Sequence, residues 1–125
     1  MTASSLFSLF NLAAFAGWIA LGASVVFNSP MLRDRLSGQW LPVLFSMAYT
    51  ALILLFFWDA PGGFGSLADV QLLFTSPWMA LAGWIHYLTF DLWMGARIAR
   101  ESAALKLPRW PLIILLPLTF LFGPA

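Results

Sequence analysis

His86 and Asp91 are the two residues of this chain whose type and position best suit them to chemistry, because both are ionisable and lie inside the apolar stretch 77–98. A charged side chain at the centre of a membrane helix costs about 2.5 to 3.5 kcal/mol on insertion scales. Ionisable residues at such depth therefore mark candidate functional sites. We take His86 and Asp91 as candidate functional residues.

Helical geometry separates these two residues. With about 1.5 Å of rise per residue, His86 lies roughly 13–14 Å beyond Pro77, near the middle of a span, and Asp91 about 7–8 Å deeper. The two side chains point roughly 140° apart, so they do not pair within the helix. Asp91 then either stays protonated or finds a partner on another helix. The candidate partners are Asn11, Ser46, Tyr49 and Thr50.

Aromatic side chains surround the two ionisable residues along the same stretch. They either pack against neighbouring helices and lipid, or form walls that suit a flat conjugated ligand. The candidate cofactor-binding residues are His86, Trp84, Tyr87, Phe90 and Trp93. A neutral imidazole is also a good axial ligand for the metal of a chlorin or haem.

The composition of the 125 residues excludes several classes of protein. Hydrophobic residues make up 62% and charged residues 9%, which is too little charge to cover the surface of a water-soluble domain. The chain has no cysteine and one histidine, so disulfides, iron–sulfur clusters and conventional zinc sites are excluded, and we predict no metal site. A net charge of +1 gives no electrostatic footprint for nucleic acid.

The hydropathy pattern predicts an all-α membrane protein, a bundle of four transmembrane helices forming a single domain over residues 1–125. The predicted spans are 6–27, 40–58, 77–98 and 110–125. The fourth is short for a hydrocarbon core of about 30 Å, and we expect the native chain to continue beyond Ala125. A capping signal at Ser66 predicts a short interfacial helix in the loop between spans two and three.

All six lysine and arginine residues fall on one side of this arrangement, in or beside the loops 29–39 and 97–109. The positive-inside rule places those loops in the cytoplasm and both termini on the opposite side. The apolar run near the N-terminus has no basic leader, so we interpret it as a retained helix, not a secretory signal. No transit peptide precedes it, which favours a bacterial protein or a processed organelle protein over an intact plastid precursor, and we expect a bacterial inner or intracytoplasmic membrane.

The third and fourth spans also carry a resemblance. The sequence from Phe74 to Arg97, with Ser76-Pro77 ahead of a His-x4-Asp-x5-Arg core, resembles the abscisic-acid-deficient-four-like family of small membrane proteins. The segments Leu107-Pro-Arg-Trp-Pro111 and Leu118-Thr-Phe-Leu-Phe-Gly-Pro-Ala125 resemble the same family. The resemblance covers roughly the last 50 residues with specific motifs, and the earlier spans by size and hydropathy.

This resemblance implies a role in carotenoid metabolism or carotenoid binding. Plant members are required to form neoxanthin from violaxanthin, an isomerisation of a xanthophyll epoxide to an allene without net redox change. For related chemistry, we expect His86 to act as the base and Asp91, kept protonated by burial, as the acid. The expected ligand is then a bound carotenoid.

Two non-enzymatic interpretations stay open. A four-helix, tryptophan-rich subunit could bind a carotenoid, or a chlorin or haem at His86, within a photosynthetic membrane complex and beside other subunits. Alternatively, the polar residues only fix the register of the helices in a scaffold protein, since hydrogen bonds between membrane helices are worth about 0.6 kcal/mol on average. In each case the lipid bilayer is a partner.

Overall fold

A computed structural model describes residues 2–122, which form an all-helical chain without strands over that range. The predicted residues 123–125 of the fourth span, and any continuation beyond them, lie outside the described part. The five α-helices are α1 (Ala3–Phe27), α2 (Leu41–Phe56), α3 (Leu67–Leu73), α4 (Pro77–Ala104) and α5 (Trp110–Phe122). A π-helical segment (Met31–Trp40) precedes α2, and a single 3₁₀ turn (Phe57–Asp59) follows it.

Three helix ends carry caps, whereas α4 continues to Ala104 and therefore includes much of the predicted loop 97–109. The first helix ends at Asn28, which adopts the left-handed conformation with φ 55°. The hydroxyl of Ser66 accepts from the Asp69 backbone at the start of α3, and Ser76 accepts from the Met79 backbone at the start of α4. The short helix predicted between spans two and three is thereby confirmed as a helix.

The predicted loop 29–39 differs from the structure, because most of it is helical. After a turn at residues 28–30, the π-helical segment runs directly into α2. Its Ser37 side chain is fully buried, and the hydroxyl donates to the Gly17 carbonyl oxygen of α1 at 2.7 Å. This contact holds a polar segment against the bundle, where its composition alone predicts a loop.

Long-range contacts give the direction of each helix. Trp84 of α4 lies against Phe7 near the start of α1, and Gly95 lies against Trp18 further along it, so α1 and α4 are parallel. Stacking of Phe56 on Trp78, at a ring separation of 4.3 Å, brings the end of α2 to the start of α4. The second helix is therefore antiparallel to α4.

The fourth helix is the centre of the bundle and packs against α1, α2, α5 and the π-helical segment. One cluster of buried side chains joins α1, α2 and α4, with Phe45 and Ile85 fully buried. A second cluster joins α1, α4 and α5 at the opposite end, and consists of Leu21, Ala96, Ala99, Leu112 and Leu116.

Two glycines allow α1 and α4 to approach closely. A methyl group on Gly95 of α4 would lie 2.6 Å from the Trp18 ring, and one on Gly17 of α1 would lie 2.9 Å from a methyl of Leu92. Each helix thus packs a large side chain against a glycine of the other helix.

The outer surface of the bundle is apolar. On α1, Leu12, Ile19 and Val26 follow one another at seven-residue spacing and are 68%, 58% and 67% exposed.

Two described helices are long and apolar enough to cross a membrane: α1, and the continuous helix Met31–Asp59. Helix α4 is long but carries charged residues, and α5 has 13 residues. The four-span arrangement and the positions of the termini stay predictions.

Replacing Gly95 with alanine tests the close contact of α1 and α4. We expect Gly95→Ala to lower the free energy of unfolding by about 1–3 kcal/mol, because the Trp18 ring must move. Gly22→Ala is the control, since open space surrounds Gly22, and helix propensity predicts that this variant is unchanged or more stable. Denaturant titration in mild detergent measures both. Equal free energies of unfolding for Gly95→Ala and Gly22→Ala would contradict the close contact of Trp18 with Gly95.

Candidate functional site

One face of α4 forms a groove with α1 and α5. The groove encloses a cavity of about 640 Å³ that opens to the outer surface of the bundle. We call it the aromatic groove. Its lining residues are Ser8, Asn11, Leu12, Ala14, Phe15, Trp84, Tyr87, Leu88, Phe120 and Leu121.

Polar groups in the aromatic groove are held by contacts between helices. The Trp84 indole N–H donates to Oδ1 of Asn11 at 2.6 Å, which joins α4 to α1. The Trp84 ring stacks on Tyr87 with centroids 5.3 Å apart. The Tyr87 hydroxyl reaches the Leu121 carbonyl oxygen of α5 at 3.4 Å. Three helices therefore position the amide and the phenol of this groove.

Asp91 lies on the same face of α4 as Trp84 and Tyr87, since these residues follow at three- and four-residue steps. Its side chain is buried, with 3% exposed, and Tyr87 is its polar neighbour. Among the described residues, nothing hydrogen-bonds to Asp91 Oδ2. The structure thus places a buried acceptor without a partner one helical turn beyond the groove.

The four polar residues considered as partners of Asp91 make other contacts. Asn11 accepts from Trp84, and the ring of Tyr49 lies 5.4 Å from that of His86. The hydroxyls of Ser46 and Thr50 donate to carbonyl oxygens of their own helix.

The second face of α4 carries His86, Phe90 and Trp93, again at helical spacing. The exposed His86 ring lies 4.8 Å from Phe90 and contacts Tyr49 of α2 on its other side. Further along, the Arg97 guanidinium lies 5.7 Å from the centre of the Trp93 ring. This face looks outward between α2 and α4.

The predicted site residues therefore fall into two groups. Trp84, Tyr87 and Asp91 share the face toward α1 and α5, while His86 and Phe90 lie on the face beside α2. His86 and Asp91 thus lie on different faces of α4, as the angle between their positions on one helix predicts. No group of three His, Asp or Glu side chains that could hold a metal occurs among residues 2–122.

Sequence reasoning missed two features of the aromatic groove. Asn11 was considered as a partner of Asp91 or as a polar contact between helices, but its pairing with Trp84 was not predicted. Phe120 of α5, which contacts both Phe15 and Trp18 of α1, closes one side of the groove. Polarity inside an apolar span was a usable signal for Asn11, whereas nothing in the sequence distinguishes Phe120 from its apolar neighbours.

A comparison with protein-family models matches residues 5–125 to the family described as ABA DEFICIENT 4-like. No curated protein and no solved structure matches the chain.

The buried oxygen of Asp91 predicts an unusual effect of mutation. We expect Asp91→Asn to raise the free energy of unfolding by about 1 kcal/mol, because a neutral amide is less costly to bury than a carboxylate with one oxygen that lacks a hydrogen-bond partner. Glu101→Gln is the control, since Glu101 pairs with Arg97 on the surface and its loss costs less than about 1 kcal/mol. Thermal unfolding in detergent measures both. A clear loss of stability in Asp91→Asn would show instead that the carboxyl group stabilises the fold.

Proposed function

Because this chain belongs to the ABA DEFICIENT 4-like family, we propose that it is an integral membrane protein that binds a carotenoid and acts on it. The observation that carries the proposal is the aromatic groove with the buried Asp91, whose Oδ2 has no hydrogen-bond partner among the described residues, one turn beyond it.

The membrane location is supported by the surface of the bundle. Large apolar side chains are exposed along α1, α2 and α5, and a water-soluble protein rarely exposes contiguous apolar patches of that extent. Residues of both basic segments, among them Arg33 and Arg109, line one cavity and therefore lie at the same end of the bundle. We propose a bacterial inner membrane with this basic end in the cytoplasm.

The aromatic groove suits one end of a xanthophyll, which combines a flat polyene with oxygen atoms on its end rings. Trp84, Phe15 and Phe120 offer ring surfaces to the polyene. The Asn11 side chain accepts from Trp84 through its oxygen and keeps its amide N–H groups available for a ligand oxygen. The Tyr87 hydroxyl provides a second polar contact on the same wall.

The reaction we propose is the isomerisation of an epoxide to an allene. A C–H bond next to the ring and a C–O bond of the epoxide break, while a C=C bond and an O–H bond form. Because His86 lies on the other face of α4, we replace the expected pair of His86 as base and Asp91 as acid. Asp91, as the carboxylate, accepts the proton from carbon, and the Tyr87 hydroxyl donates a proton to the epoxide oxygen. Proton transfer from Asp91 to Tyr87 then restores both groups. Nothing is oxidised or reduced overall.

His86 supports a second candidate function. An imidazole exposed to lipid is unfavourable unless something covers it, and the rings of Tyr49 and Phe90 flank this one. We propose as the alternative a non-catalytic subunit of a photosynthetic membrane complex, in which His86 ligates the metal of a chlorin or haem. The same exposed face could also meet another membrane subunit.

Expression in a host that makes violaxanthin tests the proposal. We expect the protein purified in mild detergent to carry carotenoid, detected by absorption and pigment chromatography, and the host to form the allenic product. Asp91→Asn and Tyr87→Phe should each reduce product formation at least about 100-fold while carotenoid stays bound. His86→Gln should keep both properties.

Trp84→Leu and Trp93→Leu form a matched pair for the binding step. Both remove an indole from α4, but Trp84 lines the aromatic groove and Trp93 lies on the other face. We expect carotenoid to be lost from the first variant and retained in the second. A protein without carotenoid or product refutes the proposal, and a tetrapyrrole spectrum lost in His86→Gln establishes the alternative.

A further inference from the structure

The ends of α1 and α4 meet the start of α5 around a polar cavity of about 240 Å³. We call it the basic pocket. Its polar lining residues are Ser24, Asn28, Arg33, Ser102, Lys106 and Arg109. It lies at the end of the bundle away from the aromatic groove, so the proposed carotenoid chemistry does not use it.

Two of the three cations of the basic pocket are available to a ligand. Arg33 makes two hydrogen bonds to Asp34, at 2.8 and 3.0 Å. Within residues 2–122, neither Lys106 nor Arg109 forms an ion pair. The segments 29–39 and 97–109 together carry six basic and two acidic residues, so the pocket lies in a field of net positive charge.

The backbone around the basic pocket is unusual. Asn28 and Lys106 both have φ 55°, and they are the non-glycine residues with positive φ in the described part of the chain. Glycine is the usual residue at such a position after a helix, and lysine is disfavoured there. Backbone N–H groups already cap both helix ends, from Ser29 to Ser24 and from Leu107 to Ser102. The Lys106 ammonium group is therefore not needed for capping.

The basic pocket continues into an apolar groove between α1 and α5, with a volume of about 360 Å³. We call this the α1–α5 groove. Val25 and Leu112 line both cavities. Trp18, Leu116 and Phe120 form its apolar wall, and Gly22 leaves open space on the α1 side. One continuous surface thus changes from cationic to apolar, as the binding site of an anionic amphiphile requires.

We infer that the basic pocket binds the phosphate group of an anionic phospholipid, with one acyl chain in the α1–α5 groove. Lys106 and Arg109 donate charge-assisted hydrogen bonds to the phosphate oxygens, and Asn28 and Ser102 supply neutral donors. The basic end lies at headgroup depth when the apolar helices cross the bilayer. The inference rests on the proposed membrane location. The α1–α5 groove shares Phe15 and Phe120 with the aromatic groove, but the residues proposed to bind the phosphate do not line the carotenoid site.

Ligand-induced shifts in the thermal unfolding of the full chain, purified in mild detergent, test this site. The probes are short-chain phosphatidylglycerol, phosphatidylcholine of the same chain length, and inorganic phosphate. We expect phosphatidylglycerol to bind at least about tenfold more tightly than either of the other two. Lys106→Gln with Arg109→Gln should abolish this preference.

Two further variants distinguish specific binding in the basic pocket from general electrostatic attraction between the basic end of the bundle and an anionic lipid. Arg35→Gln with Arg100→Gln removes the same charge from the same end of the bundle but leaves the pocket intact, and should keep the preference. Gly22→Leu fills the α1–α5 groove and should weaken phosphatidylglycerol binding without changing the response to phosphate.

Three results would overturn the inference. The first is equal binding of phosphatidylglycerol and phosphatidylcholine, and the second is an equal loss of the preference for phosphatidylglycerol in the Lys106/Arg109 and Arg35/Arg100 variants. The third is inorganic phosphate that binds as tightly as phosphatidylglycerol. The last would identify a site for a free anion. Retained carotenoid in the Lys106/Arg109 variant would show that its loss of lipid binding is not a loss of fold or of the proposed function.

Discussion

The contact of the Trp18 indole with Gly95 is the constraint on which the bundle depends. Together with Leu92 over Gly17, it places a large side chain of each helix against a glycine of the other. Small residues allow this approach, and dispersion between closely packed helices provides the attraction that the hydrophobic effect cannot supply within lipid. The same register brings Asn11 within hydrogen-bond distance of Trp84 and Leu21 against Ala96. The aromatic groove and the basic pocket are consequences of how these two helices meet.

The two faces of α4 explain why its polar residues differ in environment. Asp91 is buried on the face covered by α1 and α5, whereas His86 lies exposed beside α2. In the proposed reaction, a ligand group in the aromatic groove meets Tyr87 and then Asp91, whereas His86 lies on the other face of α4. Helical spacing alone requires this separation, but which neighbouring helix covers each face is a property of the tertiary packing.

Much of the fold could be predicted from local signals, because Asn28, Ser66 and Ser76 act on the helix ends beside them. The apolar periods and the glycines of α1 and α4 were likewise visible. The helical nature of residues 31–40 was not, since it depends on the buried bond from Ser37 to a carbonyl of another helix. Of the site, the aromatic residues of α4 were predicted, whereas the contributions of Asn11 and Phe120 come from packing between distant parts of the chain.

The turn at residues 28–30 has a consequence for biosynthesis. It joins the two described helices that are long and apolar enough to cross a membrane, so they leave the ribosome one directly after the other and can form a hairpin. Such a pair can enter a bilayer without help from later segments, because its own length and hydropathy suffice. The hairpin then presents Trp18 and Asn11 before α4 is made. If α4 crosses the bilayer as predicted, it meets helices that already carry its packing partners, which suits a less apolar helix with a buried carboxyl group.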